Sequence, residues 1–358
     1  MTILLAILLT LPSPAPGNAA QPFLFASRDS VLMSWLEPGA LRFARFRNGA
    51  WTEARTIVAR EELLASWADF PSIVEDRNGV LYAHWLQKNS AGGYACDVWF
   101  STSRDGGKTW REPVLLNRDG VKSEHGFASL VPLPDGGVAV AWLDGRTPEM
   151  MLRYATIDAR GTVANETQLD ARTCECCSTG MTMTPGGAVI TYRDRSAGEV
   201  RDIAVIRRTS KGWTAPRVVH ADGWMIKGCP VNGPQVDAIG NRVAAAWFNG
   251  GGEHVQVAFS DDGGATFAPP IVLDGGKPTG RVDIVLADRE TAVVTWIEAN
   301  AVRARVVHRN GAMEPGIKVA DAPAKGFPRI ARYGSDVFVA WPGASGIQAA
   351  RLALRSSR

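Results

Sequence analysis

Four cysteines sit in two short segments, Cys174-Glu175-Cys176-Cys177 and, farther along, Gly228-Cys229-Pro230. Thiolates brought together from such segments suit a soft metal ion, Zn²⁺ or Cu(I), with Cys174, Cys176, Cys177 and Cys229 as ligands. In an oxidising compartment the same residues form disulfides, with Cys229 bonded to one member of the cluster. A redox-active disulfide is a third use of the same sulfurs. Cys96, flanked by Val98 and Phe100 on its own side of an alternating run, reads as a buried thiol.

A second set of residues is suited to moving protons and gripping anions. Asp69, Glu124, His125 and Asp144 are candidate acids and bases, the Glu124-His125 pair being expected to face Asp69. Arg146, Arg193, Arg195 and Arg201 are candidate ligand-binding residues, because a guanidinium fork meets a carboxylate through two parallel hydrogen bonds. Asn232, between Pro230 and Pro234, is held in a stiff loop that suits directed hydrogen bonding. The competing reading is structural: Arg193-Asp-Arg195 with Arg201-Asp202 as a salt-bridged hairpin, and Asp144-Gly-Arg146 as a turn with a local ion pair.

The elements that must position these residues are repeated strands. Seven apolar runs close on an aromatic residue: Trp35, Trp85, Trp142, Tyr192, Trp247, Trp296 and Trp341. They recur at intervals of roughly 45–57 residues, a period that signals radially repeated β-sheets. Each unit reads as four strands of period-2 alternation with Gly, Asp and Asn in the connections. Between the third and fourth strands lies Ser103-Arg-Asp-Gly-Gly-Lys-Thr-Trp110, repeated as Ser260-Asp-Asp-Gly-Gly-Ala-Thr-Phe267. In such a segment the Asp caps its own turn and a Gly takes positive φ, so the role of Asp105 and Asp262 is structural.

These two segments are Asp boxes, and through them and the blade pattern the chain resembles the bacterial sialidase-like (BNR-repeat) β-propellers. The resemblance implies an all-β propeller, and in sialidases an arginine trio for the substrate carboxylate, a Tyr–Glu nucleophile and an Asp acid/base. The expected fold is a seven-bladed propeller of four-stranded blades, the last incomplete or closed by N-terminal residues; a six-bladed sialidase propeller is the alternative. Two departures bear on activity. Phe70-Pro71-Ser72-Ile73 lacks the arginine of the Arg-Ile-Pro opening of sialidases, and Tyr192 occupies a Trp position of the repeat, where packing is its expected task.

Antiparallel connectivity sorts the loops. Segments before strand one and after strand two share a face opposite the Asp boxes, and all the candidate residues above belong to those segments. They should therefore ring one axial mouth. Residues 1–20, with the apolar stretch Ile3–Leu11 and a small-residue stretch before Gln21, read as an export signal preceding a single domain over 21–358. The formal charge of +3 and the lack of a basic run argue against nucleic acid, and the apolar stretch is too short to span a bilayer. The expected function is a periplasmic or secreted propeller that binds, and as a hydrolase would cleave, a small anionic or glycan-like ligand at its mouth. The alternative is a non-enzymatic periplasmic protein that uses its cysteines for metal binding or assembly.

Overall fold

The computed structural model describes residues 4–89, 93–321 and 326–356. All assigned helix or strand among them is strand, arranged as seven antiparallel sheets. The sheets are the blades of a propeller: blade 1 (20–59), blade 2 (72–115), blade 3 (125–170), blade 4 (180–218), blade 5 (235–272), blade 6 (278–321) and blade 7 (329–356). The six-bladed alternative is thereby set aside.

Blade 7 takes its outer strand from the other end of the chain. Leu4–Leu11 pairs antiparallel with Gly346–Ser356, in register from Leu4 opposite Ser356 to Leu11 opposite Ala349. The ring is therefore closed by N-terminal residues. Ala6 and Leu8 pack against the core of blade 7, while Ile7 and Leu9 are exposed. Residues 1–3 of the expected export signal lie outside the described residues.

The core lies between blades. Second strands such as Val138–Asp144 and Thr291–Glu298 are buried along their whole length, because each blade is covered on both faces by its neighbours. The aromatic ends Trp35, Trp85, Trp142, Tyr192, Trp247 and Trp296 are almost wholly buried. Several indoles donate to the side chain two residues on: Trp35 to Glu37 (2.8 Å), Trp85 to Gln87 (2.9 Å), Trp142 to Asp144 (2.9 Å) and Trp296 to Glu298 (2.8 Å). A buried N–H needs such an acceptor.

First strands line the axis and are tied across the seams. Asp76 accepts from the Gly137 N–H of blade 3 (2.9 Å), Asp237 from Leu286 of blade 6 (2.7 Å) and Asp283 from Ile330 of blade 7 (2.9 Å). The Asp boxes do the local work expected of them. Asp105 accepts from the Lys108 and Thr109 N–H groups, each at 3.0 Å, and from the Ser103 and Thr109 hydroxyls. Gly107 lies at φ +82° against the Phe43 ring, where a Cβ would collide. Both boxes follow third strands, at the end of the channel opposite His125 and Asp144.

Candidate functional site

The mouth is built from segments that enter first strands and leave second ones. His125 opens the first strand of blade 3 and pairs in register with Asp144, which ends the second; Thr173 and Asp194 bridge the equivalent point of blade 4. The frame read from the repeat thus brings most of the candidates to one end. It does not give them the partners expected.

Asp69 is buried and accepts from the Phe127 N–H at 2.6 Å. Burial pushes its carboxyl up to about 7; the Phe127 hydrogen bond opposes this, and the nearby Glu124 charge adds to it. Gly126 has no room for a side chain because Asp69 Oδ2 fills that space. Glu124 is also pushed up to about 7, by burial and then by Glu175, with His125 opposing.

His125 does not face Asp69. Its ring is fully buried in the seam between blades 2 and 3, with Nδ1 3.1 Å from the Cys96 carbonyl oxygen. Nε2 lies 3.2 Å from Asp119 and 3.7 Å from Asp144. Asp144 is fully occupied. It accepts from the Trp142 indole, from the Arg146 backbone (3.1 Å) and from Arg146 Nε and Nη2, each at 2.7 Å. Burial raises its pKa, but these bonds win and hold it below the ordinary value. The turn with a local ion pair is the arrangement found.

The four named arginines are likewise committed. Arg146 also reaches Asp119 (3.2 Å) and Glu166 (3.3 Å). Arg193, nearly inaccessible, donates to three backbone carbonyls: Asn232 (2.9 Å), Arg201 (2.6 Å) and Phe248 (2.8 Å). It lies over the Trp224 ring and clamps loops of blades 4 and 5. Arg195 pairs with Glu199 (3.0 Å) and Glu175 (3.3 Å), and Arg201 with Glu199 (2.9 Å) and Glu175 (3.1 Å). Asn232 is a structural tie, its amide donating to the Pro230 and Thr279 carbonyls and its Oδ1 accepting from the Arg281 N–H at 2.8 Å. Tyr192 donates its hydroxyl to Asp170, and burial raises its pKa, which disqualifies it as a nucleophile.

Two of the four cysteines are bonded to each other. The Cys176–Cys229 disulfide joins the loops entering blades 4 and 5, with Cα atoms 5.9 Å apart. Of the readings of these four residues, the structure shows the disulfide for Cys176 and Cys229, with Cys174 and Cys177 as buried thiols beside it. Arg201 Nη1 donates to Cys174 Sγ at 3.1 Å, so a fixed cation already occupies the place a metal ion would compete for. With Cys176 and Cys229 joined, the four sulfurs are not all available as thiolates to Zn²⁺ or Cu(I). The Cys177 hydrogen bond lowers the Cys174 thiol to about 6 against the effect of burial, with Arg193 and Arg201 helping. Cys96 is buried, as expected.

The axis itself carries a group that stands where segments entering first strands are expected, around the central channel, but to which the sequence assigned no role. Trp67, Phe70 and Phe327 form an aromatic group, Phe70 and Phe327 meeting edge to face with centroids 4.8 Å apart. Two arginines pack on it. Arg281 lies 4.9 Å from the Trp67 ring and 5.0 Å from Phe327; Arg329 lies 4.4 Å from Phe70. Both are mostly buried, and the Nε of each has no hydrogen-bond partner. Desolvation lowers the pKa of Arg281 to about 10 and lowers that of Arg329. Arg329 also lines a cavity of about 90 Å³, with Asp69, Phe70, Ser129, Thr179 and Gln235 among its other walls. A signal existed: Phe70-Pro71-Ser72-Ile73 recurs as Phe327-Pro328-Arg329-Ile330, with arginine in the serine's place.

Neither a family model nor a curated relative matches the chain. Solved structures do match in fold. The polysaccharide lyase Uly1 aligns with a TM-score of 0.55 at 10% identity, over 96% of this chain and 91% of that one. A mutant of the NanB sialidase from Streptococcus pneumoniae aligns at 0.52 and 12% identity, over 97% and 71%.

The fold is a seven-bladed β-propeller, similar to these structures.

A prolyl endopeptidase structure also aligns, with a TM-score of 0.52 at 14% identity, over 95% of this chain and 51% of the other. Proteins of such different names share this architecture, so the fold by itself does not fix an activity.

Proposed function

We propose that this protein is an exported sialidase-like propeller that binds a small anionic, glycan-like ligand at its axial mouth. The observation that carries the reading is the pair Arg281 and Arg329, two desolvated guanidiniums packed on the same Phe327 ring, each with a buried Nε lacking an acceptor, Arg329 also lining the axial cavity. Arg329 has a carboxylate only at 4.0 Å, from Asp283. An incoming carboxylate or sulfate would supply what these groups lack, while Trp67, 39% exposed, offers a face for a sugar ring. Arg146, Arg193, Arg195 and Arg201 hold the walls of the mouth. Export is supported by the disulfide and by the apolar stretch near the N-terminus.

The test is calorimetric titration against a panel of uronate, sialate and sulfated oligosaccharides. Arg281→Ala and Trp67→Ala should each weaken binding about tenfold or more, the loss of one well-placed charged or stacking contact. Arg195→Ala should leave affinity within about twofold. Affinity should rise as pH falls from 8 to 6, because protonating Asp69 removes a negative charge beside the anion. An unresponsive panel, or equal loss from Arg195→Ala, overturns the reading. If the protein is also a hydrolase, Asp69 is the group placed to hold and deliver a proton, and Asp69→Asn should abolish turnover of a fluorogenic glycoside while binding persists.

A further inference from the structure

None of the cysteines lines the axial cavity. Four sulfurs from two loops form one contiguous group. Cys176 is bonded to Cys229, Cys174 Sγ lies 3.9 Å from Cys176 Sγ, and Cys177 Sγ lies 3.4 Å from Cys174 Sγ. The order from inside to outside is graded: Cys174 and Cys177 are buried, Cys176 is half-buried and Cys229 is exposed. Arg201 directs Nη1 at Cys174 Sγ (3.1 Å), and the Asn232 N–H points at Cys177 Sγ (3.4 Å). The first contact favours the Cys174 thiolate, whereas burial and the neighbouring Cys174 hold Cys177 as a thiol against the Asn232 contact. A disulfide with a function limited to bracing gains nothing from a charge-assisted thiolate beside it, because that thiolate can attack it.

We propose that Cys174, Cys177, Cys176 and Cys229 form a relay that passes two electrons from the buried Cys174/Cys177 dithiol to a disulfide-bearing substrate at the mouth. First, the Cys174 thiolate attacks Cys176 Sγ; the Cys174–Cys176 bond forms, the Cys176–Cys229 bond breaks, and Cys229 leaves as an exposed thiolate. Cys229 then attacks an external disulfide R–S–S–R′, forming R–S–S–Cys229 and releasing R′S⁻. Cys177 attacks Cys174 as its proton passes to the released R′S⁻, giving R′SH; the Cys174–Cys177 bond forms and Cys176 leaves as thiolate. Cys176 attacks Cys229 in the mixed disulfide, restoring Cys176–Cys229 and releasing RS⁻. The balance is one external disulfide reduced to two thiols and the Cys174/Cys177 dithiol oxidised to a disulfide. A dithiol reductant regenerates it by the reverse steps. Cys174 and Cys177 have the two-residue spacing of dithiol redox pairs, which allows that bond to close.

The experiment uses the folded full chain and oxidised glutathione as probe, with alkylation and mass-spectrometric mapping of every cysteine. The expected result is two equivalents of glutathione released per chain, appearance of the Cys174–Cys177 bond, and retention of Cys176–Cys229. Cys229→Ser should slow the release at least tenfold. Cys177→Ser should stop the relay part-way and accumulate glutathione on Cys229. Retention of the cysteines' initial state in the wild type overturns the relay, as does oxidation of Cys174 and Cys177 at an undiminished rate in Cys229→Ser. Four reduced thiols holding stoichiometric Zn²⁺ or Cu(I) in natively purified protein also overturn it, and favour the metal-binding alternative. Arg281→Ala leaves the sulfurs in place, so loss of glycan binding and loss of relay activity are separately visible.

Discussion

Asp144 shows how a residue suited to chemistry can be spent on structure. Its type and its neighbour Arg146 suggested an acid at a ligand site, yet it stands two residues after Trp142, in the position Glu37, Gln87 and Glu298 hold after their own tryptophans. Asp144→Asn should therefore lower stability and leave ligand affinity unchanged, which thermal melting and calorimetry on one sample would show. Asp69 behaves differently. Its carboxyl is held near 7 in the fold against 3.8 ordinarily, so between those values the folded state keeps a proton the unfolded chain gives up. Stability then falls as pH rises from about 4 to about 7, and that share is gone above. Glu124 and Asp283, also raised, add to the slope; Glu199, held down to about 2 by Arg195 and Arg201, loses its contribution only in strong acid. Asp69→Asn keeps an acceptor for the Phe127 N–H. It should raise the melting temperature at pH 8 by about 2 °C or more and leave it unchanged at pH 5.

At the scale of elements, the blades are held by flat contact between sheets and by aspartates that reach across seams. Asp283 accepts the Ile330 N–H and lies 4.0 Å from Arg329. Asp283→Ala leaves a buried N–H without a partner, at a cost of about 1–3 kcal/mol by denaturant titration. It also frees Arg329 of its nearest carboxylate, so affinity for an anionic ligand should rise even as stability falls. Within a blade the gradient runs from second strand to outer strand. Ile190, wholly buried, should cost about 2–5 kcal/mol on truncation to Ala, whereas Val272, 40% exposed on an outer strand, should cost under about 0.5 kcal/mol.

For the whole molecule the decisive feature is closure. Leu4–Leu11 completes blade 7, yet the same residues read as the apolar stretch of an export signal, and its exposed Ile7 and Leu9 contribute little to packing. The two uses exclude each other once a signal is removed. The export reading expects secreted protein to begin near Gln21, with a three-stranded blade 7 and a lower melting temperature than the chain that keeps the strand. N-terminal sequencing of the exported protein and melting of both forms check this; an exported protein that retains Leu4 sinks the signal reading.

Much of the architecture was legible in the linear chain, because strand alternation, the aromatic at each second-strand end and the Asp-box turn all depend on neighbours a few residues away. Those local rules gave the blade count and the face on which Asp69, His125 and the cysteines lie. They could not give partners. Whether Arg193 would meet a ligand or three carbonyls, whether Cys229 would bond Cys176 or its neighbours, and that His125 would turn into a seam while Arg281 and Arg329 packed on Phe327 were all settled between loops of different blades. Sequence determined the ring and which residues stand at its mouth. Only the tertiary structure decided which of them are already paired, because a charge or a thiol buried among blades must find its counterpart there, on a loop distant in sequence.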